Sequence, residues 1–393
     1  MGAFKKLICV ISGVLMLTTI SFNTLSLNNT NISTVTLPQV QKAISLDFVQ
    51  YSNIDYCVGY NYWSSSDEYD GKITFVVHST YDYLQYIAEH IPTWTGSISL
   101  ALYVDYVNDE TFVKNLNAVI SKLEGLEEVK SSRKVGVHLF YKKKKSYDEC
   151  QSFTISGEND VYESNIDDIY PINVARNIAR RGTKSNLFIS GDIENFFVPN
   201  YEEWMRKLAE TTLFGKEQKL VLVHRRFEVA EGMIIPKTKK QLYKLYQEKL
   251  AVVFHHYFYK IGHTIPRIED WFKHPEDMES TSVQQVMNYP NSRWEPQFVG
   301  RSDQVPYHDE TFPFRMSSNT HLCSEMCRAG FKFAVVYDLF TVHVGIKRKE
   351  SANEKSVRLK VWHNGYRKVT QNFIRRLDEQ YPDTKDKCPK FVM

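Results

Sequence analysis

Asp192 and Glu194, one residue apart in the stretch S-N-L-F-I-S-G-D-I-E-N at 185–195, are the side chains whose types and spacing best suit chemistry. The apolar run Leu187-Phe188-Ile189 reads as a buried strand that ends, through Ser190 and Gly191, in an acidic turn. Alternate residues at a strand end face the same way, so the two carboxylates point together into one cleft. Paired carboxylates at the carboxyl edge of a sheet suit a hard divalent cation, and such a cation suits a diphosphate. The same spacing arises on solvated turns, so its meaning rests on its surroundings. His255, His256 and His263 lack H-E-x-x-H spacing and sit among aromatics, which reads as hydrogen-bonded loop packing. With no C-x-x-C pair, a zinc ribbon is excluded.

The elements that must position these groups alternate along the chain. Residues 73–77, 97–104, 134–141, 220–224 and 331–337 are rich in β-branched and apolar residues and read as strands. Residues 109–126 read as an amphipathic helix with Phe112, Val113, Leu116, Val119, Ile120 and Leu123 on one stripe. Pro171 opens a helix through Arg181, closed by Gly182, just before the acidic-turn strand. A further helix covers 238–250, where Thr238 and Gln241 fit a capping box. Residues 254–300 are loop-rich and aromatic, and helices over 320–328 and 366–380 complete the set. This alternation argues an α/β fold with a mostly parallel central sheet covered by helices.

At 393 residues the chain can hold one large α/β domain or two smaller ones. An apolar fraction of 42% with 24 Tyr and 23 Phe excludes a disordered chain. A formal charge of +3 gives no steering field, so no nucleic acid is implied, and the lysines at 142–145 read as a solvated loop. Lys5 and Lys6 precede an uncharged run over 7–22. The run is short for a plasma-membrane span but acceptable for a thinner secretory-pathway bilayer. The lysines keep residues 1–6 in the cytosol, make 7–23 a signal anchor and place the rest in a lumen. A cleaved signal peptide, with Thr19 and Ser21 near the cut, is the competing reading, but no A-x-A-like site follows. Residues 24–50 read as a polar stem with sequons at Asn28 and Asn31. Outside Cys9 in the anchor, Cys57, Cys150, Cys323, Cys327 and Cys388 are an odd set for an oxidising lumen. At least one thiol stays free or pairs between chains, so a homo-oligomer could form through it or through the stem. Cys323 and Cys327, four apart on a helix, are poorly placed to bond each other.

Several segments resemble, in order and spacing, the LARGE-like glycosyltransferases, which include the β-1,4-glucuronyltransferases. They are Y-P-I-N-V-A-R-N-I-A-R at 170–180 followed by L-F-I-S-G-D-I-E, then F-E-V at 227–229, F-H-H at 254–256 and G-H at 262–263. W-E-P-Q-F-V at 294–299, D-E-T-F at 309–312 and A-G-F-K-F-A-V-V-Y-D-L-F-T-V-H at 329–343 complete the set, which spans 73–381. The resemblance implies a GT-A nucleotide-sugar-binding domain over 51–385, anchored in the Golgi membrane as a type II protein. It implies inverting transfer of N-acetylglucosamine or glucuronic acid from a UDP-sugar to a glycan or glycoprotein acceptor, with Mn²⁺ as cofactor. The family's acidic metal motif would fall on Asp192 and Glu194, and its metal-binding histidine on His343. Such a mixed oxygen and nitrogen set suits Mn²⁺, which would neutralise charge on the departing UDP.

On the same resemblance, Asn173, Arg176, Asn177 and Arg180, with Asp192, are donors and acceptors for the nucleotide or its diphosphate. An exposed polar helix face is the alternative for Arg180 and Arg181. The carboxylate that takes the acceptor's proton falls to Asp309 or Glu310. Glu295 reads as a solvated loop carboxylate, although it could receive an acceptor hydroxyl. Trp271 and Trp294 either stack on acceptor sugars or fill the core. Family members tend to read F-x-G-[YF]-G where this chain has Phe312-Pro313-Phe314-Arg315-Met316-Ser317-Ser318-Asn319. Two outcomes therefore stay open: an active transferase, or a lapsed member serving as a lumenal glycan-binding protein.

Overall fold

Short β-branched and apolar runs build most of the strands. In chain order they are β1 (Ile44–Leu46), β2 (Val49–Gln50), β3 (Tyr56–Trp63), β4 (Thr74–Ser79), β5 (Ile98–Tyr103), β6 (Val135–Lys142) and β7 (Phe153–Ile155). There follow β8 (Leu187–Ser190), β9 (Asn195–Phe197), β10 (Leu220–Val229), β11 (Ala251–Val253), β12 (Val283–Met287), β13 (Phe298–Arg301) and β14 (Lys332–Val344). The computed structural model describes residues 43–53, 55–144, 148–157, 159–165, 169–215 and 219–392. The expected anchor, both sequons, Cys9 and most of the expected stem lie outside those residues. Among the described residues no helix is long and apolar enough to cross a membrane.

One sheet runs in the order β12-β14-β10-β13-β8-β4-β5-β6-β3-β2, with β11 beside β10 and β9 beside β14. β8, β4, β5 and β6 are parallel neighbours, and so are β10 and β14. The expectation of a mostly parallel sheet is corrected to a mixed one, because β3, β12 and β13 run antiparallel to their neighbours. β12 and β13 come from the 254–300 segment that reads as loop. Antiparallel strands pair without a helical crossover, so no strand–helix alternation announces them. Since β13 lies antiparallel to both β8 and β10, those two still point the same way. The carboxyl ends of β8, β10 and β14 therefore share one edge, where ligands of open α/β sheets bind.

Both sheet faces are buried, which explains the near-continuous apolar runs. Phe75 and Val77 join one core cluster with Phe112, Leu116 and Leu123, while Val76 joins another with Val174, Ala175, Ile178 and Phe188. The first cluster is covered by the Asp109–Glu124 helix, whose Asn108 side chain accepts from the Thr111 amide. The second is covered by the Ile172–Arg181 helix. β14 runs well past the expected 331–337, because β10 flanks it on both sides of an irregularity at 336–339 while β12 and then β9 flank its other side. The Ala352–His363 helix went unread, although its capping box, Ser351 with Glu354, is legible as S-x-x-E. Cys57 bonds Cys150 and Cys327 bonds Cys388. Cys323 is free but 2% exposed, so the expected homo-oligomer cannot form through that thiol.

Candidate active site

β8 delivers Asp192 to the shared carboxyl edge; Asp192 and Glu194 are both half-buried on the turn that follows, and only Asp192 lines the cleft described below. Strand pairing sets His343 opposite Asn195 and beside Glu228. The Asp192 carboxylate, 41% exposed, accepts from Arg226 at 3.1 Å and lies 3.8 Å from Arg176. Burial opposes its ionisation, but Arg226 and Arg176 outweigh burial and hold the carboxyl well below the usual range. Burial first, and then the Asp192 charge, push the Glu194 carboxyl up. The His343 imidazole is pulled down by burial, and its Nδ1 lies 3.3 Å from the Gly345 carbonyl.

The Ile172–Arg181 helix is buried on two faces with different partners. Val174, Ala175, Ile178 and Ala179 meet the sheet. Asn173, Arg176, Asn177 and Arg180, spaced i, i+3, i+4, i+7, form a polar stripe that meets the segment 302–319. Asn173 donates to the Phe312 carbonyl, and Asn177 exchanges hydrogen bonds with the His308 backbone while donating to Glu310. Arg180 donates to the carbonyls of Ser302, Val305 and Pro306. Of these four, only Arg176 reaches the cleft, where it also donates to the Ser318 carbonyl. Asn173, Asn177 and Arg180 are thus loop clamps, and Arg180 is not on an exposed helix face.

That cleft, about 470 Å³, is lined by Asp192, Arg176, Arg226, His255, His263 and Glu295, with loop 314–319 opposite. Asp309 and Glu310 do not line it. Asp309 is ion-paired with Arg376, and Glu310 accepts from the Tyr51 hydroxyl and from Asn177. Glu295, read as a solvated loop carboxylate, is instead a cleft group with a side chain only 19% exposed. Burial pushes it up to about 7 against the pull of Arg226 and Arg176. Its Oε1 lies 3.6 Å from His263 Nε2, and its amide donates to the Gly262 carbonyl. A Cβ at Gly262 would meet the Tyr259 ring at 2.4 Å and Glu295 Oε1 at 3.3 Å, so glycine is required there. Trp271 and Trp294 are fully buried and serve the core.

β10 supplies the groups that sequence reading missed. Arg226 stacks its guanidinium 3.9 Å from the Phe254 ring, and Glu228 is pushed up to about 7 by burial. One residue earlier and on the other face, Arg225 donates to Ile265, Pro266 and Gln284. The signal was present, since H-R-R-F-E continues an apolar strand and wholly buried charges are rarely idle.

Asp192, Glu194 and His343 thus lie at one end of the sheet. Among the described residues, however, no three His, Cys, Asp or Glu side chains converge as a metal-holding group. Asp192 is already engaged by two guanidiniums. As arranged, the expected Mn²⁺ donor set does not fit an ion.

A family model described as the glycosyl-transferase for dystroglycan matches residues 72–382. The chain is 23% identical over 291 residues to the xylosyl- and glucuronyltransferase LARGE1 of Mus musculus, covering 74% of this chain and 33% of that protein. It is 28% identical over 228 residues to the beta-1,4-glucuronyltransferase 1 of Bos taurus, covering 56% and 50% respectively. The chain matches half or less of the length of these relatives. Among solved structures, GalNAc-T7 with UDP, GalNAc and Mn²⁺ is 12% identical with a TM-score of 0.39, covering 82% of this chain and 55% of that one. A likeness at that level carries no argument about the site.

Proposed function

The chain belongs to the family of glycosyl-transferases for dystroglycan, and on that premise we propose that its cleft binds a UDP-sugar and passes the sugar, with inversion, to a glycan hydroxyl. The donor is UDP-N-acetylglucosamine or UDP-glucuronic acid, the domain over 51–385 has the GT-A fold, and it works in the Golgi lumen. The lysine-flanked run at 7–23 is its anchor and 24–50 its stem; the support for this is the charge and hydropathy pattern alone.

The observation that carries the reading is the roughly 470 Å³ cleft in which an ionised Asp192, two guanidiniums and a buried Glu295 converge. Glu295, rather than Asp309 or Glu310, is the base. The acceptor oxygen attacks the anomeric carbon while the bond from that carbon to the β-phosphate oxygen breaks. UDP leaves with the electron pair, and Glu295 takes the acceptor's proton. A base with a pKa near 7 is half ionised near neutrality and takes a proton with good driving force.

The test is UDP release by the full chain in detergent from a panel of UDP-sugars, with mixed glycan acceptors. Release from one donor, lost in Glu295→Gln, is the expected result. No release from any donor by folded protein would replace this reading with the lumenal glycan-binding one.

A further inference from the structure

The cleft holds more guanidinium than its carboxylates neutralise. Arg315 is paired with Glu354, and Arg358 with Glu350. Arg176 and Arg226 differ: their side chains are 6% and 5% exposed, and both are ion-paired with Asp192, while the cleft's Glu295 acts on them from further off. Arg226 is further fixed over the Phe254 ring, and its buried Nε has no hydrogen-bond partner. With Glu295 lifted to about 7 by burial, the two buried guanidiniums are only partly compensated near neutrality, an arrangement that is costly unless an anion completes it. A metal at Asp192 would compete with Arg226 for Oδ2, at which that guanidinium already donates, and would find Oδ1 facing Arg176 at 3.8 Å. Bringing a divalent cation beside those two buried charges would add repulsion where affinity is needed.

We propose that Arg176 and Arg226 hold the diphosphate of the nucleotide sugar directly, so that nucleotide binding here does not depend on a divalent metal. This rests on the reading of the cleft as a nucleotide-sugar site. The planar fork of a guanidinium matches phosphate oxygens with paired hydrogen bonds, and two forks supply the charge that an ion would otherwise bring. Both stay charged throughout the physiological pH range. As UDP departs, the electron pair left on the β-phosphate oxygen meets these fixed donors, and no further cation is required. In the empty cleft Asp192 keeps the two forks in place, and it competes with the incoming diphosphate for them.

That competition makes the proposal testable with a variant that does not depend on removing a buried arginine. UDP binding to the full chain in detergent is titrated calorimetrically in EDTA and in Mn²⁺. The expected result is the same affinity in both buffers, a loss of about tenfold or more in Arg226→Gln, and tighter binding in Asp192→Asn. Binding that requires Mn²⁺ and is lost in Asp192→Asn would overturn the proposal and leave the nucleotide-sugar reading standing. Absence of UDP binding in both buffers, by protein that melts cooperatively, would overturn the reading and the proposal together.

Discussion

Glu295 is the carboxylate on which the chemistry turns, because burial lifts it while two arginines keep its ionised form within reach. A base must be deprotonated to act, so turnover should fall as pH drops through about 7 and level off above it. A rate–pH profile at saturating donor checks this. Glu295→Gln should lower kcat by about 10²–10⁴-fold with little change in UDP affinity, and should remove that limb of the profile. The contrasting variants are Asp309→Asn and Glu310→Gln. Their partners are Arg376, and Tyr51 with Asn177, so they should shift the melting temperature and leave kcat near wild type. Type and spacing marked all three carboxylates, but place ranks them, since Glu295 lines the cleft and the other two do not, and a two-residue motif carries no information about that.

The Ile172–Arg181 helix shows how far periodicity reaches. Its apolar and polar stripes were readable, as were Pro171 at its start and Gly182 at its end. What the polar stripe touches was not, since donors spaced for one face suit a nucleotide and a neighbouring loop equally well. Arg180 meets three carbonyls of the 302–306 turn. Arg180→Ala should therefore destabilise the protein by about 3 kcal/mol in urea unfolding, because buried carbonyls lose a charged donor, and leave UDP affinity unchanged in calorimetry. The loop that follows keeps a glycine-like backbone without glycine. Arg315 and Ser317 have φ of 75° and 52°, a strain of roughly 1–2 kcal/mol each. The Glu354 ion pair and the Tyr366 hydroxyl hold them there. The departure from the family pattern at 312–319 thus changes the lining of the cleft while a loop still closes it.

Over the whole molecule, the shared direction of β8, β10 and β14 concentrates the site at one sheet edge, and the C-terminal elements wall it. The Cys327–Cys388 bond closes a 61-residue separation between the Thr320–Arg328 helix and the tail. Phe312 packs with Tyr366, Phe373 and Leu377 in a separate small core beside it. The double variant Cys327→Ser with Cys388→Ser should lose about 2–4 kcal/mol of stability in chemical denaturation, mainly through the less constrained unfolded chain. Because this wall carries Tyr366 and Arg358 into the cleft, the same variant should weaken UDP binding.

Read alone, the residues were enough for the α/β class, the acidic turn at Asp192 and the family resemblance, because these rest on local periodicity, caps and short ordered motifs. They left open which charges meet. Arg226 lies on β10, Asp192 after β8, Arg176 on the preceding helix, and Glu295 in a segment that reads as loop. Insertion of β13 between β8 and β10, and burial of the polar helix stripe against residues 302–319, bring these groups to one cleft. Such long-range pairings depend on which buried surfaces and hydrogen-bonding groups find each other, and no window of neighbouring residues encodes that choice.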